Sequence, residues 1–166
     1  MSSIDVGAAI FHRARGVGKV VDVETRRWER KDTRYLVVEM TALPYTIRIP
    51  ETSPYIRPVL SDPDIIFTTL QDQAQALPDN YKSRQAKIRD AVSSGEPVKI
   101  AAAARDLRAY AESEEGSWTA GGERLYEQAM RMLAAEVAES KGCDLDEATR
   151  LVTRAVNGPG VSRSTT

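Results

Sequence analysis

The chain has 166 residues, 42% of them hydrophobic and 28% charged, with a formal net charge of −1. No apolar run approaches the ~18 residues that a membrane-crossing helix needs. The start at Met1-Ser2-Ser3-Ile4-Asp5 lacks the basic and apolar regions of a secretory signal, and the single Cys143 rules out an internal disulfide; a reducing cytoplasm is therefore the expected compartment. The near-neutral total hides an uneven distribution. Residues 1–60 carry ten Lys/Arg against seven Asp/Glu, residues 81–108 seven against three, and residues 112–147 three against ten. A local basic field can hold phosphate even in a near-neutral chain, with a weaker contact than a strongly basic domain makes.

The first sixty residues read as short strands at 8–11, 17–24, 34–41, 46–49 and 55–60. Alternation is clearest in Thr46-Ile47-Arg48-Ile49. Gly16 and Gly18 punctuate the first connection, and Arg30-Lys31-Asp32-Thr33 reads as a polar hairpin tip between two β-rich runs. Five short strands in so few residues predict a small SH3-like or Tudor-like barrel.

Near Ser61-Asp62-Pro63 the period changes, which favours two domains, 1–60 and 61–160. Ser61 or Asp62 can cap a helix that begins at Pro63 and buries Ile66, Leu70 and Ala74. A second helix is predicted over 79–93, stopped by Gly95, with Ile88 and Val92 facing inward. Pro97 starts a third, in which Ile100, Ala104, Leu107 and Ala111 recur at helical spacing. Thr119 caps a long fourth helix carrying Leu125, Tyr126, Ala129, Met130, Met132, Leu133 and Val137. Asp144 and Glu147 open a fifth with Ala148, Leu151, Val152 and Ala155 on its apolar face. Residues 161–166 read as a disordered tail. The fold class expected is α+β, a β-barrel followed by a helical domain of about five helices.

Enzyme chemistry finds little support. His12 is the only histidine, and no Cys or acidic cluster beside it has metal-ligand spacing. Glu123 with Glu127, and Glu136 with Glu139, fall at i,i+4 and i,i+3, where a solvated helix face is the usual reading. Arg15-Gly16-Val17-Gly18-Lys19 lacks the phosphate-loop spacing and precedes a strand, so it reads as a turn. No catalytic residue, metal or cofactor is expected.

Binding chemistry is better supplied. Arg26, Arg27, Arg30, Lys31 and Arg34 surround one hairpin with Trp28 among them; a solvated hairpin with one packed aromatic and an interface patch are both open readings, since Arg and Trp are enriched at interfaces. Arg48 lies between Ile47 and Ile49, so alternation points it away from the buried side, and an exposed strand edge there can accept a partner's strand through backbone hydrogen bonds. Tyr81 precedes a helix and is followed closely by Lys82, Arg84, Lys87 and Arg89. At a helix start, free N–H groups and cations suit phosphate while an aromatic ring packs against a base step.

Several segments in order along the chain carry a resemblance: Gly16-Val17-Gly18 with Glu24-Thr25-Arg26, Tyr35-Leu36-Val37-Val38, Thr46-Ile47-Arg48-Ile49-Pro50, Asn80-Tyr81, Ser94-Gly95, Ala104-Arg105-Asp106-Leu107 and Thr119-Ala120-Gly121. Together they resemble the CarD/CdnL family of bacterial transcription regulators, whose first domain is similar to the polymerase-interacting domain of the transcription-repair coupling factor. The resemblance implies a Tudor-like domain that binds the β subunit of RNA polymerase and a helical domain that contacts promoter DNA at the upstream edge of the bubble, modulating open-complex stability. By position Arg26 and Arg48 match the arginines that engage the β subunit, and Arg27, Trp28, Ile47 and Ile49 beside them are expected on the same polymerase-binding surface. Tyr81 stands where the family has a Trp wedged into the minor groove and Arg84 falls on one of the basic positions just after it; Lys82 and Lys87 complete the expected DNA-contacting set. A cytoplasmic monomer, nucleoid-associated through the polymerase, is implied; Trp28, Trp118 and the strand edge are the features that would support a dimer instead.

The chain also departs from the pattern. Tyr is a smaller wedge than Trp, Ala86 stands where a basic residue is common, and Glu123 falls where a DNA-facing Lys is found. His12-Arg13 replaces a His-Pro pair, and Gly122 replaces a helix-start Glu. Losing phosphate contacts lowers affinity and flattens its salt dependence. The expectation is a divergent paralogue that keeps polymerase binding more securely than DNA binding; the alternative is a polymerase-bound adaptor that recruits another protein.

Overall fold

Apolar alternation and capping residues resolve the chain into β1 (Ala9–His12), β2 (Gly16–Trp28), β3 (Lys31–Met40), β4 (Thr46–Pro50) and β5 (Ile56–Pro58), followed by α1 (Asp64–Gln71), α2 (Tyr81–Val92), α3 (Pro97–Ala111), α4 (Ala120–Lys141) and α5 (Leu145–Asn157). The computed structural model describes residues 3–158; the tail at 161–166 lies outside them. The fold is α+β, a five-stranded antiparallel sheet followed by five helices among the described residues.

The sheet order is β4-β3-β2-β1-β5, so its two edge strands are consecutive in sequence. Ile49 and Ile47 from one edge and Ile56 from the other pack on the same cluster as Ile10, Val20, Leu36, Val38 and Met40. The sheet therefore curls until both edges share one small core. A bulge between Val20 and Asp22 leaves Val21 exposed and increases the local twist. The β2–β3 hairpin turns more tightly than the sequence predicts. Trp28 pairs with Lys31, and only Glu29 and Arg30 form the turn, both at positive φ (49° and 66°). That is the two-residue geometry matching strand twist, so Lys31, Asp32 and Thr33 belong to β3. Gly16 and Gly18 likewise lie inside β2, and the first connection is residues 13–15.

Local side chains decide where the helices start. Asp62 Oδ1 accepts the Asp64 N–H at 2.9 Å, so Pro63 sits one position before α1 and not at its first residue. α1 buries Ile66 and Leu70 but ends at Gln71, leaving Ala74 beyond it. Asn80 Oδ1 accepts the Ser83 N–H at 3.1 Å and starts α2 two residues later than predicted. Thr119 Oγ1 accepts from Gly122 N at 3.0 Å and Asp144 Oδ1 from Glu147 N at 2.7 Å, the two caps that the sequence marks. Pro97 is the first residue of α3, and Ile100, Ala104, Leu107 and Ala111 are buried along it.

The halves are joined by more than their linker. Phe11 and Val17 of the sheet belong to the same buried cluster as Ile88, Ile100, Leu107, Met132, Leu133 and Val137 of the helices. At this junction Glu136, 1% exposed, receives a bidentate Arg57 guanidinium at 2.6 and 2.8 Å. The sequence reading of Glu136 as part of a solvated acidic face is thus overturned. Its i+3 neighbour Glu139 is only partly exposed and faces Lys19 at 3.7 Å.

Candidate functional site

Strand register sorts the predicted polymerase-side residues onto faces. Val23, Leu36 and Ile49 lie side by side across β2, β3 and β4 and turn inward. Alternation therefore turns Glu24, Arg26 and Trp28 of β2 to the outer face with Arg48 of β4. Trp28 is 74% exposed, so it is not a packed aromatic. Arg27, in register with Asp32, falls on the opposite side of the hairpin from Arg26 and Trp28. Ile49 is a core residue and Ile47 packs half-buried against the same core. These two side chains brace Arg48, and both line the groove beside the strand edge.

Glu24 organises the outer face. Its Oε2 accepts from Arg48 Nε at 3.2 Å and Arg26 Nη2 at 3.3 Å. The Arg48 hydrogen bond, followed by the nearby Arg48 and Arg26 charges, outweighs desolvation and holds the Glu24 carboxyl below its ordinary 4.5. Both guanidiniums remain more than half exposed, where an ion pair is weak and open to exchange for another carboxylate. Beside them runs the free edge of β4. Glu51 N donates to Arg34 O and Met40 N to Tyr45 O, which fixes the odd-numbered positions of β4 as those bonded to β3. The N–H and C=O of Thr46 and Arg48 consequently point to the unpaired edge. A groove of about 660 Å³ follows that edge, with His12, Arg15, Pro54 and Tyr55 on its far side.

The α2 tip is built differently. Tyr81 is the first helical residue and 49% exposed. Its hydroxyl end leans on α4 at Gly121, where an added Cβ would sit 3.2 Å from Tyr81 Oη and 2.8 Å from Gln85 Nε2. Lys82 and Lys87 are exposed and make no ion pair among the described residues. Arg84 is not on this surface. It is 6% exposed; Nη1 donates to the carbonyls of Pro78 (3.1 Å) and Asp79 (3.0 Å), and the guanidinium lies 4.1 Å over the Tyr110 ring. Arg84 holds the segment leading into α2 and backs Tyr81, whose ring centre is 5.7 Å away. Ala86 and Glu123 are both exposed.

The remaining candidates have structural partners. His12 Nδ1 accepts from Ala14 N at 3.1 Å, closing the β1–β2 turn, and burial with the charges of Arg15 and Arg13 lowers its pKa below 6.5. Trp118 packs edge-on against Tyr126 at 5.1 Å and leans on the helical core. Arg105 and Asp106 form a buried pair at 2.9 Å that also holds Thr69 O and Gln75 N, pinning the α1–α2 connection. Arg57 is the functional-looking residue that sequence reading missed. The available signal was Glu136 itself, a lone carboxylate within the buried run Met132–Ala138, because such a charge requires a partner.

An outer sheet face of exposed arginines and Trp lies next to an open strand edge, and the sheet shares a buried cluster with the helices that carry the α2 tip. The model of the family described as CarD, C-terminal domain, matches residues 65–153, more than half of the chain. The chain belongs to the CarD family, a non-enzymatic family of transcription factors, and is a CarD-like, transcription-related protein.

Proposed function

We propose that this chain docks on the β subunit of RNA polymerase, as a cytoplasmic monomer, through Arg26, Trp28, Arg48 and the free edge of β4. From there it presents Tyr81, Lys82 and Lys87 to promoter DNA at the upstream edge of the bubble, slowing collapse of the open complex. The observation that carries the reading is the outer face: exposed Arg26 and Arg48 share the Glu24 carboxylate, unpaired backbone groups of β4 lie beside Arg48, and Trp28 stands exposed on the same face at the hairpin end. An acidic, extended segment satisfies all of it at once. Its backbone adds to Thr46 and Arg48, and a carboxylate replaces Glu24 on the guanidiniums. Arg27 remains a peripheral contact on the reverse of the hairpin.

A second reading, a polymerase-bound adaptor with little DNA contact, is supported by the burial of Arg84 together with exposed Ala86 and Glu123. The α2 start then offers two lysines and one tyrosine, few phosphate contacts for a DNA-binding surface. Open-complex lifetime on a promoter fragment, with full-length chain and with Tyr81→Ala, separates the two. The first reading expects a longer lifetime with the native chain and loss of most of that effect in Tyr81→Ala. No lifetime effect alongside retained polymerase binding favours the adaptor.

A further inference from the structure

The Arg57–Glu136 pair does more than fill the junction. Arg57 Nη1 and Nη2 donate to the two carboxylate oxygens of Glu136 on α4, Nε donates to Gly95 O at 2.7 Å in the α2–α3 turn, and Nη1 also donates to Pro58 O at 3.0 Å. Its guanidinium lies 4.1 Å over the Phe11 ring of β1. Glu136 Oε2 accepts a third bond from Leu60 N at 2.9 Å. One planar fork thus ties the β5 strand, α4 and the base of α2, with its donors in fixed directions.

Gly95 is the base of a rod. α2 runs twelve residues from Tyr81 to Val92, about 18 Å at helical rise, so Tyr81 sits at the far end from the junction. Gly95 has φ +75°, and a Cβ there would meet Arg13 Cβ at 2.6 Å. The α2–α3 turn is therefore seated directly on the β1–β2 turn. Because Arg84, Gln85, Ile88 and Val92 bury α2 along its length, it moves with its neighbouring helices as one body, and a small rotation of that body at this seat is largest at Tyr81, the end far from the junction.

We propose that Arg57 and Glu136 are positioning residues that set the direction of α2, and so the separation between the Arg48 face and Tyr81. Its consequence for transcription rests on the function proposed above; its effect on geometry does not. Buried ion pairs contribute less to stability than their geometry suggests, because an apolar pair of similar volume can replace them. The directional constraint is what that replacement loses.

The test uses full-length chain with Glu39→Cys and Ala86→Cys in a Cys143→Ser background, spin-labelled for a distance distribution between β3 and α2. The unaltered junction gives one narrow distribution. Arg57→Met/Glu136→Leu, and independently Gly95→Ala, broaden or displace it. Arg57→Lys keeps the charge but not the fork, and leaves it broadened. In the same variants polymerase affinity and DNA affinity each stay within about twofold, while open-complex lifetime falls on the order of tenfold. Unchanged distributions in both the double variant and Gly95→Ala overturn the proposal, as does full restoration by Lys, which would make charge alone sufficient. Should the double variant fail to fold, Gly95→Ala decides by the same readout. Distances that respond in a chain with no effect on open-complex lifetime uphold the positioning role and sink the transcriptional one.

Discussion

Arg48 and Arg84 invite the same reading in the sequence and end in opposite places. Arg48 stands on the outer face of β4, more than half exposed, and among the described residues its guanidinium is tied only to the Glu24 carboxylate. Arg84 is buried and gives its donors to the carbonyls of Pro78 and Asp79, which no helix or sheet satisfies. A cation marks a contact surface only when its donors are left over after the chain's own acceptors are met. By that measure the sheet face of this protein is better equipped for a partner than the helical tip, even though the tip lies in the more basic segment.

The largest expected effect lies in neither surface but between them. Glu136→Ala leaves the Arg57 charge and the Leu60 N–H without their acceptor. It should lower unfolding stability in urea by about 3 kcal/mol, the lower end for a broken buried pair because Arg57 keeps some solvent contact. Arg84→Ala comes next, at about 2 kcal/mol for two lost bonds to carbonyls and an aromatic contact. Its DNA affinity should keep the native salt slope. A flatter slope would mean that Arg84 reaches phosphate after all and would erase the contrast with Arg48. Arg48→Ala, by comparison, should change stability by less than about 0.5 kcal/mol, as exposed pairs do, while weakening retention on immobilised polymerase.

Smaller effects sharpen the picture. Asn80→Ala removes the α2 cap and should cost about 1 kcal/mol, with fraying detected as faster amide exchange at Ser83. In an NMR titration the Glu24 carboxyl should have its midpoint below 4.5, and Arg48→Ala should move it upward. Since the folded value is the depressed one, the Arg48–Glu24 contribution is present above 4.5 and fades as pH falls through that lower midpoint. A polymerase carboxylate that takes over Arg48 should likewise raise the Glu24 midpoint in the complex.

Much of the fold is legible in the sequence because its signals are local. Thr119 and Asp144 announce helix starts through their own side chains, and Ile47-Arg48-Ile49 announces a strand with one polar face. The tight β2–β3 turn is not legible, since Glu29 and Arg30 adopt positive φ without the Asn or Gly that normally signals it. Arg27 is misgrouped for the same reason: which side of a hairpin a residue takes depends on a register that the turn sets. Arg84 and Glu136 are misread because their partners are irregular loop carbonyls in one case and an arginine 79 positions away in the other. Spacing along a helix reports which residues share a face, and what covers that face is a tertiary fact.

The exposed guanidinium face, with Arg48 at its open strand edge, is the surface proposed to meet RNA polymerase. Equilibrium binding of the full-length chain to purified core enzyme, native against Arg48→Glu, tests it most directly. The native chain should bind saturably, and the reversed charge should weaken that binding at least about tenfold. Absence of native binding, or equal binding by Arg48→Glu, would contradict that proposal.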